Sequence, residues 1–155
     1  MPQMNHGGKF IFGKSRIRAD GTVQIPPQAV EEYHIADEGN VYLFTGSKIT
    51  GGFCVTRKGL LHPSKLSHIL DDMPSLLDCS ARSGEFIKYK GRFYCWTAIS
   101  QAGQILLTQK MMDFLKVTPG MELLAIRSSD IAFTMGAKGP LLEKAENYDG
   151  DIPLF

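Results

Sequence analysis

The sequence predicts a mainly β fold with short helices, in which one structural unit is used twice. Three observations lead there. Residues 17–59 and 99–139 match at apolar positions and turn glycines. Each stretch carries an alternating strand, a glycine turn and a short helix in the same order. No apolar run approaches the roughly 20 residues that cross a bilayer as a helix.

Ile17 aligns with Ile99 at an offset of 82 positions (99 − 17). Gly21 then falls on Gly103, Val23 on Ile105, Ile25 on Leu107, Val30 on Met112, Tyr33 on Leu115 and Ile35 on Val117. After a small slip Gly39 meets Gly120, Phe53 meets Phe133 and Lys58-Gly59 meets Lys138-Gly139. Each unit opens on a strand, 15–19 or 97–101, that runs into a turn at Asp20-Gly21 or Ala102-Gly103. Asp-Gly favours the positive φ of a tight turn. A short strand follows, 23–25 or 105–107. Pro26 or Thr108 then opens a helix over 27–33 or 109–115, since proline loses no needed bond in a first turn and threonine caps well. Gly39 or Gly120 leads into two more strands, 41–45 and 52–56, or 122–127 and 131–134.

These elements divide the chain into a first unit (9–59), a helical connector (60–84), a second unit (85–145) and an acidic, loose tail (146–155). In the connector, Leu66, Ile69, Leu70 and Met73 lie at helical spacing until Pro74 interrupts them. The second unit begins with a strand from 85 to 97, and a short helix is expected over 141–146. One unit has too few strands to bury a core by itself. Two would complete each other, as a two-fold dimer made into one chain. Fusion removes the need for a second chain, and a homo-oligomer stays compatible with it.

The 155 residues are 43% hydrophobic and 21% charged, with a net charge of +1. Binding to nucleic acid through overall charge calls for a more basic chain, so any such contact must use a local patch. Cys54, Cys79 and Cys95 form no CxxC pair and read as reduced thiols packed as small hydrophobes. The polar start, residues 1–8, does not read as a signal peptide, and a cytoplasmic location is expected.

The segment Gly21-Thr22-Val23-Gln24-Ile25-Pro26, followed by a short helix, Ile35 and Gly39, resembles the AbrB/MazE/SpoVT swapped-hairpin family. Gly103-Gln104-Ile105-Leu106-Leu107-Thr108 and Val117-Thr118-Pro119-Gly120 repeat the pattern more weakly. The resemblance covers a little over half the chain. It implies a swapped-hairpin β-barrel made by two tandem pseudo-symmetric units, in a MraZ-like arrangement. It also implies a DNA-binding transcriptional regulator. The arginine that the family pattern carries after the turn glycine is Thr22 here and Gln104 in the second unit. The basic pair usual in the helix is Val30-Glu31 and then Met112-Asp113.

Duplex DNA would therefore have to be met elsewhere. Lys14, Arg16 and Arg18 alternate along the first strand and share one face, spaced along about 13 Å. Lys88, Lys90 and Arg92 alternate in the same way before the second unit. Such rows match phosphates and supply salt-sensitive affinity without reading bases. The plainer meaning of such alternation is the wet face of a half-buried strand. Arg57-Lys58 and Lys138 end the two units and read as caps of exposed turns.

His62 and His68 are six apart, and Asp71 and Asp72 point apart, so no metal site is expected. No Walker loop, GxGxxG, GxSxG or HExxH is present, and neither catalysis nor a cofactor is expected. The terminal Asp151-Ile152-Pro153-Leu154-Phe155 resembles a sliding-clamp-binding pentapeptide, but folding back of Leu154 and Phe155 onto the chain's own core is the preferred reading. A function of another class is a protein- or ligand-interaction module that kept the barrel and lost the arginines.

Overall fold

The computed structural model describes residues 10–45, 48–61, 63–64, 68–77, 83–139, 142–143 and 152–155. The first strands and helix are β1 (Ile11–Arg16), β2 (Thr22–Gln24), α1 (Pro27–Tyr33), β3 (Asn40–Thr45) and β4 (Phe53–Thr56). Three short helices follow, α2 (Lys58–Leu61), α3 (His68–Asp72) and α4 (Pro74–Leu77). The rest is β5 (Ile87–Tyr89), β6 (Arg92–Ala98), β7 (Gln104–Leu106), α5 (Gln109–Leu115), β8 (Glu122–Arg127) and β9 (Phe133–Gly136). The fold is mainly β. A seven-stranded antiparallel sheet has the order β1-β8-β9-β4-β3-β6-β5, and β2 and β7 form a separate ribbon. No ladder joins β1 to β5 among the described residues, so the hydrogen-bonded sheet is open.

The helices form where local chemistry asks for them. Pro27 supplies the first turn of α1, and the Thr108 hydroxyl caps α5 by accepting from the Met111 N–H at 3.2 Å. Both end in a left-handed residue, His34 at φ 50° and Lys116 at φ 59°. Ile35 and Val117 follow and return the chain to the core.

Backbone hydrogen bonds join the N-terminal strands to the C-terminal strands. Val23 pairs with Ile105, and Thr22 and Gln24 pair with Leu106 and Gln104. The Ile25 N–H donates to Gly103 O at 2.9 Å, and the Leu107 N–H donates to Gly21 O at 2.9 Å. At the sheet's centre Cys54 faces Thr134, flanked by Phe53–Met135 and Val55–Phe133. Exchanging β1 with β6, β3 with β8 and β4 with β9 leaves the order of those six strands unchanged when read from the other end.

The main core lies between the sheet, the ribbon, α1 and α5. Ile17, Val23, Ile25, Ile35, Ile105 and Leu107 are all buried there. Each is worth roughly 1.5–3 kcal/mol of transfer free energy. A second cluster covers the opposite face, where Leu61, Ile69, Leu70, Met73 and Leu76 pack on Tyr42 and Tyr94.

Several expectations change. The lead strand begins at Ile11 rather than residue 15, and it pairs with β8 instead of forming a ladder with β2. The second lead strand is β6, which stops at Ala98. Among its described residues the connector shows three short helices, and Pro74 opens α4 as a first-turn residue besides ending α3; Leu66 lies outside the described residues. The continuous strand expected from 85 to 97 is a hairpin. Lys90 at φ 45° and Gly91 at φ 83° turn the chain between β5 and β6. Two successive positive φ values match the twist of flanking strands. Of the helix expected over 141–146, Leu142 and Glu143 are described and helical.

The expected loose tail is also corrected at its end; residues 144–151 lie outside the described residues. Residues 153–155 run along the free edge of β1. Lys14 N–H donates to Pro153 O at 2.8 Å, Phe155 N–H to Lys14 O at 2.8 Å and Arg16 N–H to Phe155 O at 2.9 Å. Ile152 packs on the Ile11, Leu124 and Ile126 cluster. An edge strand's unpaired amides are thereby satisfied within the chain.

Gly21 and Gly39 both have positive φ, 88° and 75°, but differ in surroundings. A Cβ at Gly21 would collide with the Leu107 carbonyl oxygen, whereas one at Gly39 meets nothing within 4 Å. Gly39→Ala is expected to cost about 1–2 kcal/mol from backbone conformation alone. Gly21→Ala is expected to cost on the order of 3 kcal/mol or more, because the β2–β7 ribbon must separate. Urea denaturation of both variants measures this; equal losses would show that the ribbon is not tightly apposed at Gly21.

Candidate nucleic-acid interface

Strand alternation places the first basic row. Ser15 and Ile17 point inward, and the Ser15 hydroxyl donates to Gln24 O, tying β1 to β2. Lys14, Arg16 and Arg18 take the positions between. Arg18 lies just past the end of β1, at the turn that holds Asp20 and Gly21.

The three cations are not equally free. Arg16 faces Glu122 across the β1–β8 ladder and donates to its Oε2 at 2.8 Å. The Lys14 ammonium stands 3.6 Å from the Glu122 Oε1, with its side chain only 16% exposed; that of Arg16 is 54% exposed. The Arg16 hydrogen bond, and then the charges of Lys14 and Arg16, hold the Glu122 carboxyl below its ordinary value of 4.5. Arg18 is exposed, without an ion-pair partner among the described residues. Asp20 is lowered chiefly by hydrogen bonds from Thr22, with a smaller effect of the Arg18 charge. The row is thus three cations interleaved with two carboxylates.

The second row is not one strand face. Lys88 lies on β5, Lys90 sits in the turn and Arg92 starts β6. The Lys90 ammonium lies 5.4 Å from the Tyr89 ring centroid, and the Arg92 guanidinium 5.7 Å from that of Phe44. A turn between alternating residues breaks the common face, and β5 is the opposite edge of the sheet from β1. The structure therefore does not bring the two rows together along the sheet.

Arg57 and Arg127 are engaged structurally. Arg57 donates to the Tyr33 carbonyl at 3.0 Å and pairs with Glu38 at 2.6 Å, bracing the turn after α1. Arg127 forks onto the Glu32 carboxylate, its Nε at 3.0 Å. Lys138 is exposed at its turn. Among the described residues no three His, Cys, Asp or Glu side chains group as a metal site, and His62 lies outside those residues. No helix among the described residues is long and apolar enough to cross a membrane.

Two features escaped the sequence. Glu122 is the counterion of the basic row, and only strand register puts it there. A cavity of about 540 Å3 also opens on the outer face of the sheet, over β4 and β9. Its one signal in sequence was charge-free strands: β4 (FCVT) and β9 (FTMG) are buried at every position. Strands that are covered on both faces read that way.

No protein-family model matches the chain, and no curated protein matches it either.

Glu122 binds its proton less readily in the folded chain than in the unfolded one. Its contribution to stability is therefore fully present above pH 4.5 and is lost as pH falls through its lower folded value. Glu122→Gln is expected to destabilise the protein at pH 7 by no more than about 1 kcal/mol, because the pair is partly exposed. The gap between variant and parent should close in strong acid. Urea denaturation across that range measures it; a gap that widens in acid would contradict the ion-pair assignment.

Proposed function

We propose that the chain is a DNA-binding regulator of AbrB/SpoVT type, built from two tandem pseudo-symmetric swapped-hairpin units, which grips duplex DNA phosphates through Arg16 and Arg18, assisted by Lys14. The observation that carries this reading is the cationic row, exposed at Arg16 and Arg18, that leads into the β1–β2 turn. The resemblance at Gly21-Thr22-Val23-Gln24-Ile25-Pro26 supports it. So does the pairing of β2 with β7, in which each turn segment bonds to the other one's backbone. At the 82-residue offset, Lys14, Arg16 and Arg18 correspond to Trp96, Ala98 and Ser100. Contact with DNA is then one-sided, with the second unit completing the fold. Contacts of this kind set affinity and position rather than sequence.

A second reading has its own support. Glu122 and Asp20 offset much of the row's charge, as expected of a solvated face on a protein- or ligand-interaction module.

Binding to a duplex at two salt concentrations separates the two. The DNA reading expects affinity that falls steeply with salt. Arg16→Ala with Arg18→Ala should weaken binding to all sequences alike and lower the salt slope by about 2, one per phosphate contact. Glu122→Gln should strengthen binding, since it frees Lys14 and Arg16. Absent or salt-independent binding would leave the interaction-module reading standing.

A further inference from the structure

We propose that the cavity over β4 and β9 binds a small organic carboxylate with an apolar body, its charged end held by Arg92. The cavity, about 540 Å3, is of the size that takes small-molecule ligands. Phe44, Leu61, Ile69, Ile126 and Ile131 make most of its wall apolar. Arg92 is the one charged side chain among the described residues that line it. It has no carboxylate partner among the described residues. Its guanidinium lies over the Phe44 ring, and its charge also reaches the Cys54 thiol and the Tyr94 phenol, lowering both against the larger effect of burial.

Charge complementarity selects the occupant. A lone guanidinium presents two parallel N–H donors, which a carboxylate accepts as a pair. A phosphate dianion carries one negative charge more than the exposed Arg92 guanidinium offsets, whereas a carboxylate matches its single charge. A neutral apolar molecule would fill the space and leave the guanidinium with water alone. The Tyr94, Ser128 and Thr134 hydroxyl groups add neutral polar positions around the same space. This site is separate from the Lys14, Arg16 and Arg18 row and does not rest on the DNA reading.

Calorimetric titration of the full chain tests the assignment, with decanoate and 4-phenylbutyrate as probes and decanol and 4-phenylbutyramide as their neutral counterparts. At least one carboxylate is expected to bind, about tenfold or more tightly than its neutral counterpart, as a charge-assisted pair implies. Arg92→Gln should remove that preference. Ser128→Trp, which adds bulk from an exposed position on the rim, should abolish binding while the chain still unfolds cooperatively. If that variant does not fold, the Arg92→Gln comparison decides. No binding of either carboxylate, equal affinity for the neutral molecules, or an unchanged preference in Arg92→Gln would overturn the proposal.

Discussion

The fold depends on backbone hydrogen bonds that cross between its N-terminal and C-terminal strands. β1 finds its ladder partner in β8, β2 in β7 and β6 in β3. A three-residue strand such as β2 buries little alone and leaves its amides open. Val23 and Ile105 meet at the middle of the ribbon, both buried, and the glycine turns on either side let the two backbones approach. Hairpins β3–β4 and β8–β9 pair within each set, but β1, β2 and β7 find their ladder partners only in the other set, so the two must fold together.

That constraint also sorts the faces. Crossing strands close one core around Ile17, Ile25, Ile35 and Leu107, and leave the other face of the sheet to be covered by α2, α3 and α4. Among the described residues a cavity opens over β4 and β9 on that face. Hydroxyl and thiol groups line this part of the sheet. Cys54 and Thr134 sit in contact, 3.4 Å apart, and among the described lining residues only Arg92 carries a formal charge. The edge of β1 is handled differently, since the chain's last residues lie along it as a parallel segment.

Charge follows the same geometry. A strand with cations at alternate positions presents a row, but the neighbouring strand decides how much of that charge reaches solvent. β8 brings Glu122 against Lys14 and Arg16 and leaves Arg18 beyond its reach. In the second row the hairpin turn disperses the charges, sending Lys88 to an edge and Arg92 to the rim of the cavity. Identical spacing in sequence thus produces two different surfaces.

The sequence alone determined what short-range chemistry controls. Both seven-residue helices were legible to the residue, because Pro27, Thr108 and the apolar spacing within each act over a few positions. So were β8 and the turn at Gly21. The β5–β6 turn was not legible, because Lys90 at φ 45° carries none of the usual Asn or Asp signal and its neighbours alternate as a strand would. Tertiary structure decided what each strand faces. The Arg16–Glu122 bond joins residues 106 positions apart, and no local propensity encodes that register. It arises only when two distant strands satisfy each other's backbone, and the charge of the basic row is set at that step.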